Sequence, residues 1–403
     1  MRSVSRLPQD SGKPNQTSAR PAKSSARTEV TGVANFEARL LDGPDDPFLM
    51  VAEATGRNVF LSRVFLAAAE RHLLAASERL ALVGVTDGAG QPVAVFPFVK
   101  RKGFGVPYLE GMDFGLADYF APALLRDIAL SPDETTALWR KVVKAVPGVH
   151  AITFKKLPRQ LHGQFHALSA ADFLKPMGAD ATTRFIHDAA GAPTVVPKKM
   201  LKKLEQIGAL TFHEARTNAE VDAAMEILVA FRTARFSELG RRDALLDPRI
   251  VGFYRELADR DRDKPAGRLF TLQAGHHIVA VIYSFAYRDV FTVIAPAMTT
   301  SKEMQAGSPG LVALFKALEW CKGHDFEVFD LSVGSLSYKS RFDAQTFDLF
   351  EHQQALTPLG LPIVAEAALR RKLRHLALKH PELRNRLEAI ASRWSGRKEG
   401  ANA

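Results

Sequence analysis

Residues 290–342 limit the possible fold more than any other stretch of the chain. An apolar run at 290–297 is followed by a polar loop with glycines, an apolar run of helical length at 310–322 and a short apolar run at 326–331. This order predicts a strand, a loop, a helix and a second strand. The first N–H groups of a helix have no intrahelical partner, so beside a strand end they can hold an anion. The stretch therefore predicts an α/β unit with an anion site where its helix begins.

The loop before this helix suits a phosphate group. Gly307 and Gly310 have no Cβ atom, so a phosphate can approach the backbone closely, and Pro309 fits the first turn of a helix. A diphosphate such as that of coenzyme A fits such a turn. The spacing matches neither a Walker loop nor a dinucleotide fingerprint, so an ordinary strand–loop–helix connection is the alternative interpretation.

Three side chains with possible chemistry end this stretch. Asp330 closes the second strand, and Tyr338 and Lys339 lie in the loop after it. A phenol near a thioester sulfur can protonate the departing thiolate, and a lysine can hold a phosphate or carboxylate as a compact charge. Alternatively, Asp330 and Tyr338 hydrogen-bond to each other or to the loop, and Lys339 is solvated. Spacing alone leaves both interpretations open.

Both halves of the chain show the same order of elements, which predicts an internal structural duplication. Mixed, largely antiparallel sheets flanked by helices, an α/β or α+β architecture, are expected. The predicted helices are 62–72, 134–145, 198–206, 218–238, 248–260 and 310–322, and the predicted strands are 80–86, 92–99, 104–109, 150–154, 209–214, 268–273, 278–286, 290–295 and 326–331.

The positive charge lies at the two ends of the chain. The sequence has 54 Lys and Arg against 44 Asp and Glu, a net charge of +10. Residues 1–28 carry +5 and residues 370–398 carry +8, which leaves about −3 for the remainder. A core that wraps a nucleic acid carries the positive charge itself, so this distribution argues against such a core.

The composition of the two chain ends and the lengths of the apolar runs predict where in the cell the protein is located. Residues 1–30 are rich in Ser, Pro, Lys and Arg and are expected to be disordered, whereas 359–403 are expected to form a basic helical tail. No apolar run approaches the ~20 residues that span a bilayer, and the N-terminus lacks the apolar segment of a secretory signal. Cys321 is the only cysteine, and no metal-binding motif is present. We expect a cytoplasmic protein without a metal.

The motifs of the second half resemble those of a known family. S-P-G-L at 308–311, G-H-D-F at 323–326, F-D-L-S-V-G at 329–334 and S-Y-K-S-R-F at 337–342 follow in order. The run is similar to that of the GNAT-superfamily acetyltransferases associated with bacterial cellulose and exopolysaccharide synthesis. The matching residues are Pro309, Gly310, Gly323, Asp330, Gly334, Tyr338, Lys339 and Phe342.

The resemblance extends over about residues 55–355. Asp118-Tyr119 is similar to a DY segment of the family, and Leu157-Pro158 is similar to its strand-end LP. The segment 231–236 resembles the family's H-x-x-R-W helix around Arg235, but Phe231 and Phe236 replace the His and Trp. That departure puts a role of this helix in substrate positioning in doubt.

The resemblance implies a fold, a donor and residue roles. It implies two fused GNAT-like domains, as in the Fem-type aminoacyltransferases of cell-wall synthesis, at 45–175 and 176–358, the second binding acetyl-CoA or another acyl-CoA. Tyr338 would be the general acid, and Asp330 the base or the residue that orients Tyr338. The implied donor-binding residues are Gln305, Gly307, Ser308, Gly310, Leu311 and Lys339, and the implied substrate residues are Asp118, Tyr119, Arg235 and Gly334.

Three functions are compatible with these features. The first is transfer of an acyl group from acyl-CoA to a sugar, a nucleotide sugar or a polysaccharide precursor. The second is aminoacyl transfer from charged tRNA, with the basic ends binding the RNA. The third is a non-catalytic scaffold of membrane-bound polysaccharide-synthesis machinery. In the first and third, the C-terminal tail would supply a peripheral contact with a membrane or with a polysaccharide synthase.

Overall fold

The computed structural model describes residues 35–125, 129–178, 181–193, 196–240, 242–334 and 336–379. The predictions for residues 1–30 and for the tail beyond residue 379 lie outside these ranges. The first half contains strands β1 (Glu37–Leu40), β2 (Arg79–Thr86), β3 (Pro92–Gly103), β4 (Val106–Gly111), β5 (Ala123–Leu124), β6 (Ala151–Pro158), β7 (Gln160–Leu161), β8 (Gln164–Phe165) and β9 (Lys175–Pro176), and helices α1 (Pro47–Thr55), α2 (Arg63–His72) and α3 (Pro132–Ala145).

Within the described ranges, the second half contains more helices than the first. Its strands are β10 (Thr182–Ile186), β11 (Leu210–Glu214), β12 (Gly267–Ala274), β13 (His277–Tyr287), β14 (Val290–Met298), β15 (Val328–Val333) and β16 (Gln345–Ala355). Its helices are α4 (Lys198–Glu205), α5 (Asn218–Glu238), α6 (Pro248–Leu257), α7 (Lys302–Gln305), α8 (Pro309–Lys322) and α9 (Leu361–Lys379).

Each half contains an antiparallel meander, a helix and a parallel strand. In the first half these are β2–β3–β4, α3 and β6, with β4 parallel to β6. In the second they are β12–β13–β14, α8 and β15, with β14 parallel to β15. This repeat confirms the predicted mixed α/β fold of two tandem units.

Two strands that the sequence analysis missed join the halves into one sheet. The strand order is β1-β2-β3-β4-β6-β16-β10-β15-β14-β13-β12-β11. β16 lies between β6 of the first half and β10 of the second and is antiparallel to both. The predicted domain boundary between residues 175 and 176 falls inside β9, and both β9 and the following strand β10 pair with β16.

Local signals explain where the main helices begin. Ser131 and Glu134 form a capping box at the start of α3, and Thr217 and Glu220 form one at the start of α5. Each pair satisfies two N–H groups that the helix itself leaves free. The span of α5 therefore matches the predicted 218–238.

Several predicted boundaries shift by a few residues. Phe104 and Gly105 have positive φ angles and form a turn, so the third strand begins at Val106 instead of 104. The helix predicted to reach residue 260 ends at Leu257. The loop that carries Tyr338 and Lys339 contains a 3₁₀ helix, Ser337–Arg341.

Helix α8 is the most deeply buried helix beside the predicted site. Its apolar residues pack on β13 and β14, and Cys321 near its end is fully buried. Burial of each large side chain contributes about 1.5–3 kcal/mol, so packing fixes the position of this helix. No helix within the described ranges is long and apolar enough to cross a membrane.

Candidate active site

The parallel strands β14 and β15 separate beside the start of α8. They pair only at Val290–Val328, Phe291–Phe329 and Thr292–Asp330, although β14 continues to Met298. The β13–β14 register also shifts after Val293, between the Ser284–Val293 and Tyr283–Ala295 pairs. On the edge of β14 that faces β15, the backbone groups beyond Thr292 therefore make no strand pairing with β15.

A cavity of about 570 Å³ lies at this opening. It lies among the end of β14, the start of α8, the last turns of α5 and the 3₁₀ helix after β15. Its walls are mainly apolar, with a few polar groups, a composition typical of small-molecule sites. The lining residues are Met200, Phe231, Arg232, Arg235, Phe236, Pro296, Ala297, Met298, Gln305, Ser308, Gly310, Leu311, Leu314, Ser337, Tyr338, Ser340 and Arg341.

The N-terminus of α8 is open toward a ligand. Ser308 precedes it in a left-handed conformation, with φ 53° and ψ 57°, and its side chain makes no capping hydrogen bond. The first turn contains no acidic residue. Two hydrogen bonds within the loop fix its conformation: Ser308 N donates to Gln305 O at 2.8 Å, and Gln305 Nε2 donates to Thr299 O at 2.9 Å. The helix dipole and the free N–H groups favour an anion here.

The two loop glycines serve different purposes. Gly310 lines the cavity, in agreement with its predicted position. Gly307 instead packs against α4, where a Cβ atom would lie 2.5 Å from Leu204 Cγ and 3.0 Å from Met200 O. The structure therefore explains Gly307 by close helix packing, and this residue is not on the cavity wall where a phosphate would approach.

Tyr338 presents the one phenol on the cavity wall. Burial raises its pKa to about 12, so the phenol keeps its proton throughout the neutral range. A protonated phenol can donate to a departing group and cannot act as a base at neutral pH.

Three arginines line the cavity, and they differ in their partners. Arg232 donates to Asp243 through Nε at 2.7 Å and NH2 at 3.0 Å. Arg235 donates to Glu238 at 3.0 Å. Arg341 is exposed and makes no ion pair within the described ranges. Arg341 is therefore the cation with most freedom to bind an anionic ligand.

Lys339 is in a different place from the one its predicted role requires. Its side chain is 2% exposed, and Nζ donates to Ser332 O at 3.0 Å and to Val333 O at 2.9 Å. Burial lowers its pKa to about 8. In this conformation the ammonium holds the end of β15 to the 3₁₀ helix and is not available to a phosphate. Gly334 lies in the same turn, with φ 114° and its N–H donating to Thr182 O at 2.8 Å, and not on the cavity wall.

Asp330 lies at a buried junction between the two halves. Its carboxylate accepts hydrogen bonds from Tyr119 OH at 2.9 and 3.0 Å, from His162 Nε2 at 2.8 Å and from Ser332 N at 2.6 Å. It is fully buried, and none of these bonds involves Tyr338. The suggested hydrogen bond between Asp330 and Tyr338 is thus not formed, because the first half supplies the partners instead.

The predicted substrate residues divide between this junction and the cavity. Tyr119 is 1% exposed and hydrogen-bonds to Thr183 as well as to Asp330, so it is closed to a direct substrate contact in this structure. Asp118 is partly exposed, and Ser332 Oγ donates to it. Burial raises the pKa of Asp118 to about 6. Among the four, Arg235 alone lines the cavity.

Sequence reasoning missed His162, Ser332 and Arg341. His162 is an isolated histidine in a two-strand hairpin, and no motif marks it. Ser332 and Arg341 lie inside the motifs quoted above, so their positions gave a signal that was not used. Phe231 and Phe236 were noted only as departures from a family pattern, whereas both line the cavity.

Comparison with known proteins supports the assignment of the second half. Residues 197–340 match the acetyltransferase (GNAT) domain family. No curated protein sequence is significantly similar to this chain. A crystal structure of FemX overlaps with a TM-score of 0.51 at 9% identity, covering 79% of this chain and 96% of that one. The corresponding values are 0.48, 12%, 82% and 98% for L-PGS from Bacillus licheniformis.

The matched domain contains the start of α8, Tyr338 and every lining residue of the cavity except Arg341, whereas the likeness to FemX shows the fold alone. Residues 197–340 thus carry a GNAT acetyltransferase domain on a tandem fold, and the protein is an acyltransferase.

Proposed function

We propose that the chain transfers an acetyl or other acyl group from acyl-CoA to an amine or hydroxyl of a sugar or polysaccharide precursor. One observation carries this proposal. The open N-terminus of α8, the unpaired Arg341 and the protonated phenol of Tyr338 line a single cavity of about 570 Å³. The first two suit a diphosphate, and the third suits a departing thiolate.

The donor would bind along the opening between β14 and β15. Its diphosphate would lie at the first turn of α8, within reach of Arg341. Its amide-containing arm would meet the unpaired backbone of β14 beyond Thr292, as an added strand meets a sheet edge. Gln305 and Ser308 would shape the diphosphate end, and Leu311 the apolar wall.

Transfer would need no covalent enzyme intermediate. The acceptor nitrogen or oxygen attacks the thioester carbonyl, the new C–N or C–O bond forms and the C–S bond breaks. Tyr338 gives its proton to the departing sulfur, and the proton of the acceptor leaves to water in the open cavity. Asp330 would act indirectly, because its carboxylate is fully engaged with Tyr119, His162 and Ser332.

The acceptor class rests on the resemblance and on the cavity wall. Phe231 and Phe236 lie beside Arg235 at the end of α5. Aromatic faces pack against the apolar faces of sugar rings, and an arginine can donate to hydroxyl or carboxylate oxygens. A saccharide acceptor fits this combination.

The test measures donor binding and thiol release separately. Titration calorimetry with CoA and acetyl-CoA should show binding, and incubation with acetyl-CoA and a panel of amino sugars should release free thiol. Absence of both would exclude the proposal. Binding without release for any saccharide would exclude the acceptor class only.

A Fem-type aminoacyltransferase that uses charged tRNA is the second candidate, because the fold overlaps that of FemX. Retention of charged tRNA by the full chain should then weaken steeply with salt. It should disappear when residues 1–28 and 370–403 are removed together. Retention that is absent, or insensitive to salt, would exclude this candidate.

Helix α9 supports a peripheral membrane contact, for the enzyme or for a non-catalytic scaffold. Leu369, Leu373 and Leu376 are 56%, 37% and 47% exposed, and Arg370 and Lys372 lie between them in the chain. Exposed leucines beside basic residues are typical of helices that lie on anionic lipid. Sedimentation with vesicles that contain acidic lipid should retain the chain, and Leu369→Ser with Leu373→Ser should reduce retention. Equal retention on neutral vesicles would contradict the contact.

A further inference from the structure

Three buried polar atoms on residues that line one small cavity have no hydrogen-bond partner within the described ranges. They are Asn58 Nδ2, His162 Nδ1 and His166 Nε2. Their residues are 9%, 3% and 4% exposed, and all three line the same cavity of the first half, which Tyr287 of the second half closes on one side. Nearly all buried polar groups in folded proteins have a partner. Three such atoms around one cavity therefore indicate a bound molecule.

The hydrogen-bonding character of Asn58 and His166 is fixed by their other contacts. Asn58 Oδ1 accepts from Phe60 N at 3.1 Å, so the amide oxygen is engaged and Nδ2 is left as a donor. His166 Nδ1 lies 2.9 Å from the Pro122 carbonyl oxygen, which only accepts, so Nδ1 carries the proton. Burial lowers the pKa of His166 to about 4, and the neutral ring then has a lone pair on Nε2.

His162 offers a second acceptor. Its Nε2 lies 2.8 Å from Asp330 Oδ2, and the carboxylate accepts, so Nε2 carries the proton. In the neutral ring Nδ1 then has the lone pair. The cavity is therefore lined by a donor from Asn58, an acceptor from His166 and, when the imidazole of His162 is neutral, a second acceptor from His162.

A water molecule matches this set. It has two protons for the two imidazole nitrogens and a lone pair for the amide. The cavity volume of about 20 Å³ suits one water and no larger ligand. A metal ion would face the N–H of Asn58, and an anion would face two lone pairs.

We propose that one ordered water molecule occupies this cavity, donates to His162 Nδ1 and His166 Nε2, and accepts from Asn58 Nδ2. This water would keep His162 in the tautomer that donates to Asp330. It would thus be part of the junction that holds β15 of the second half against the first half. The inference does not depend on the acyl transfer proposed above.

Other charged and titratable groups surround the site. Arg57 NH1 donates to the His162 carbonyl at 3.2 Å, and Glu53 of α1 and Tyr287 of β13 line the cavity wall. The ring of Tyr119 packs edge-on against His162, and His187 contributes a further electrostatic interaction with His162. All of these groups belong to residues other than Asn58, so a substitution at position 58 alters the proposed water site without removing any of them.

A crystal structure at high resolution gives the first test. Solvent density should lie about 2.7–3.2 Å from all three atoms. Histidine ¹⁵N spectra should show His162 neutral, with its proton on Nε2. An empty cavity, an anomalous metal peak or a doubly protonated His162 would overturn the proposal.

Asn58→Asp gives the second test, because aspartate keeps the oxygen that caps Phe60 but removes the donor. Two water protons then face three acceptors, so the folded protein must bind an extra proton to restore the third bond. The melting temperature should be lower than that of the unsubstituted chain by about 2–4 °C near pH 8 and should recover toward pH 5.

The matched control is Asn58→Ser, which retains a capping oxygen and adds no charge. Its deficit should be small and independent of pH. A deficit of Asn58→Asp that does not change with pH, or that grows as pH falls, would overturn the proposal. Circular dichroism of both variants at each pH establishes that they are folded.

Discussion

The two halves share a fold, yet the helices that follow their meanders begin in opposite ways. Both α3 and α8 have a serine before the first residue and proline at that residue. In α3, Ser131 accepts from Glu134 N at 3.3 Å, and the Glu134 carboxylate accepts from Ser131 N at 2.9 Å. Asp133 adds a second negative charge to the first turn. In α8 the corresponding positions are Gly310 and Leu311, so its N–H groups remain available.

The clefts beside these helices differ as well. In the first half β4 and β6 diverge at Gly111, where a Cβ atom would lie 2.5 Å from Phe154 Cβ, and the ring of Phe120 stacks on Phe154 with centroids 4.7 Å apart. The nearby cavity of about 160 Å³ lies against α9, and its charged lining residues are Glu110, Glu351, Glu366, Lys155 and Arg370. The first half therefore offers a smaller cavity than the second, and its lining has three carboxylates where the larger cavity has none.

The comparison shows how one fold serves two purposes. In the second half the strand opening and the helix terminus are left for a ligand. In the first half the same places are filled by aromatic rings and by carboxylates that cap the helix. The first half instead contributes Tyr119, His162 and Asp118 to the surroundings of β15. Under the proposed function, the first half supports the half that binds the donor.

Tyr338→Phe should have the largest effect. No tyrosine occurs between β6 and Tyr254, so the first half has no counterpart of this phenol after its parallel strand. Loss of the general acid should lower kcat by about 10²–10⁴-fold. The affinity for CoA should change less than about threefold, since the ring is retained. Thiol-release kinetics and calorimetry measure the two separately. Equal losses in turnover and in CoA affinity would contradict the acid role.

The double substitution Gly310→Asp and Leu311→Glu tests the comparison directly, since it gives α8 the first-turn acids of α3. Two carboxylates at the helix start should compete with a diphosphate for the same N–H groups and repel it. CoA affinity should fall by about 10–100-fold. The matched control, Asp133→Gly with Glu134→Leu, should leave CoA affinity unchanged. An affinity retained in the first variant would place the diphosphate elsewhere.

The sequence predicted the elements whose causes are local. The capping pair Thr217 and Glu220 and the apolar face behind it are enough to define α5. It did not predict β10 or β16. β16 reads QTFDLFEHQQA, with few apolar residues, and exists because it pairs with β6 and β10, which are distant in the chain. Such long-range pairing leaves little trace in a single sequence.

The same limit applies to the site. Gln305, Ser308, Gly310, Leu311, Tyr338 and Arg235 were named from the sequence and lie on one cavity. Asp330, Tyr119 and Lys339 were also named, but they lie in a buried network instead. Whether a residue faces a cavity or the interior depends on how the first half packs against β15. The motif identifies residues without showing that packing.

Arg341→Gln should have a moderate effect on donor binding. The guanidinium has no acidic partner within the described ranges, so it is free to pair with the diphosphate. Because an exposed ion pair is screened by salt, its contribution to donor binding should be small at high salt. CoA affinity should fall by about 3–10-fold at low salt and less at high salt. Lys155→Gln is the control from the first half, because Lys155 is paired with Asp113 at 3.3 Å beside the filled cleft. Equal effects of the two substitutions would contradict the difference between the clefts.

Asp118→Asn tests how the first half meets the second and should have the smallest effect. Burial raises the pKa of Asp118 to about 6, above its ordinary value of 3.8, so the folded chain binds more protons than the unfolded chain between about pH 4 and 6. The stability of the unsubstituted chain relative to Asp118→Asn should therefore fall as pH rises through this window and stay constant above it. Asp113→Asn, in the same segment, is the comparison variant and should give the opposite sign. Burial would raise the pKa of Asp113, but Lys156 and Lys155 together lower it, so its contribution is present at neutral pH and is lost only below about pH 4. Melting temperatures of both variants from about pH 3.5 to 8 separate the two patterns. A flat difference for Asp118→Asn would mean that Asp118 is solvated and that the two halves meet less closely at Ser332 than the structure shows.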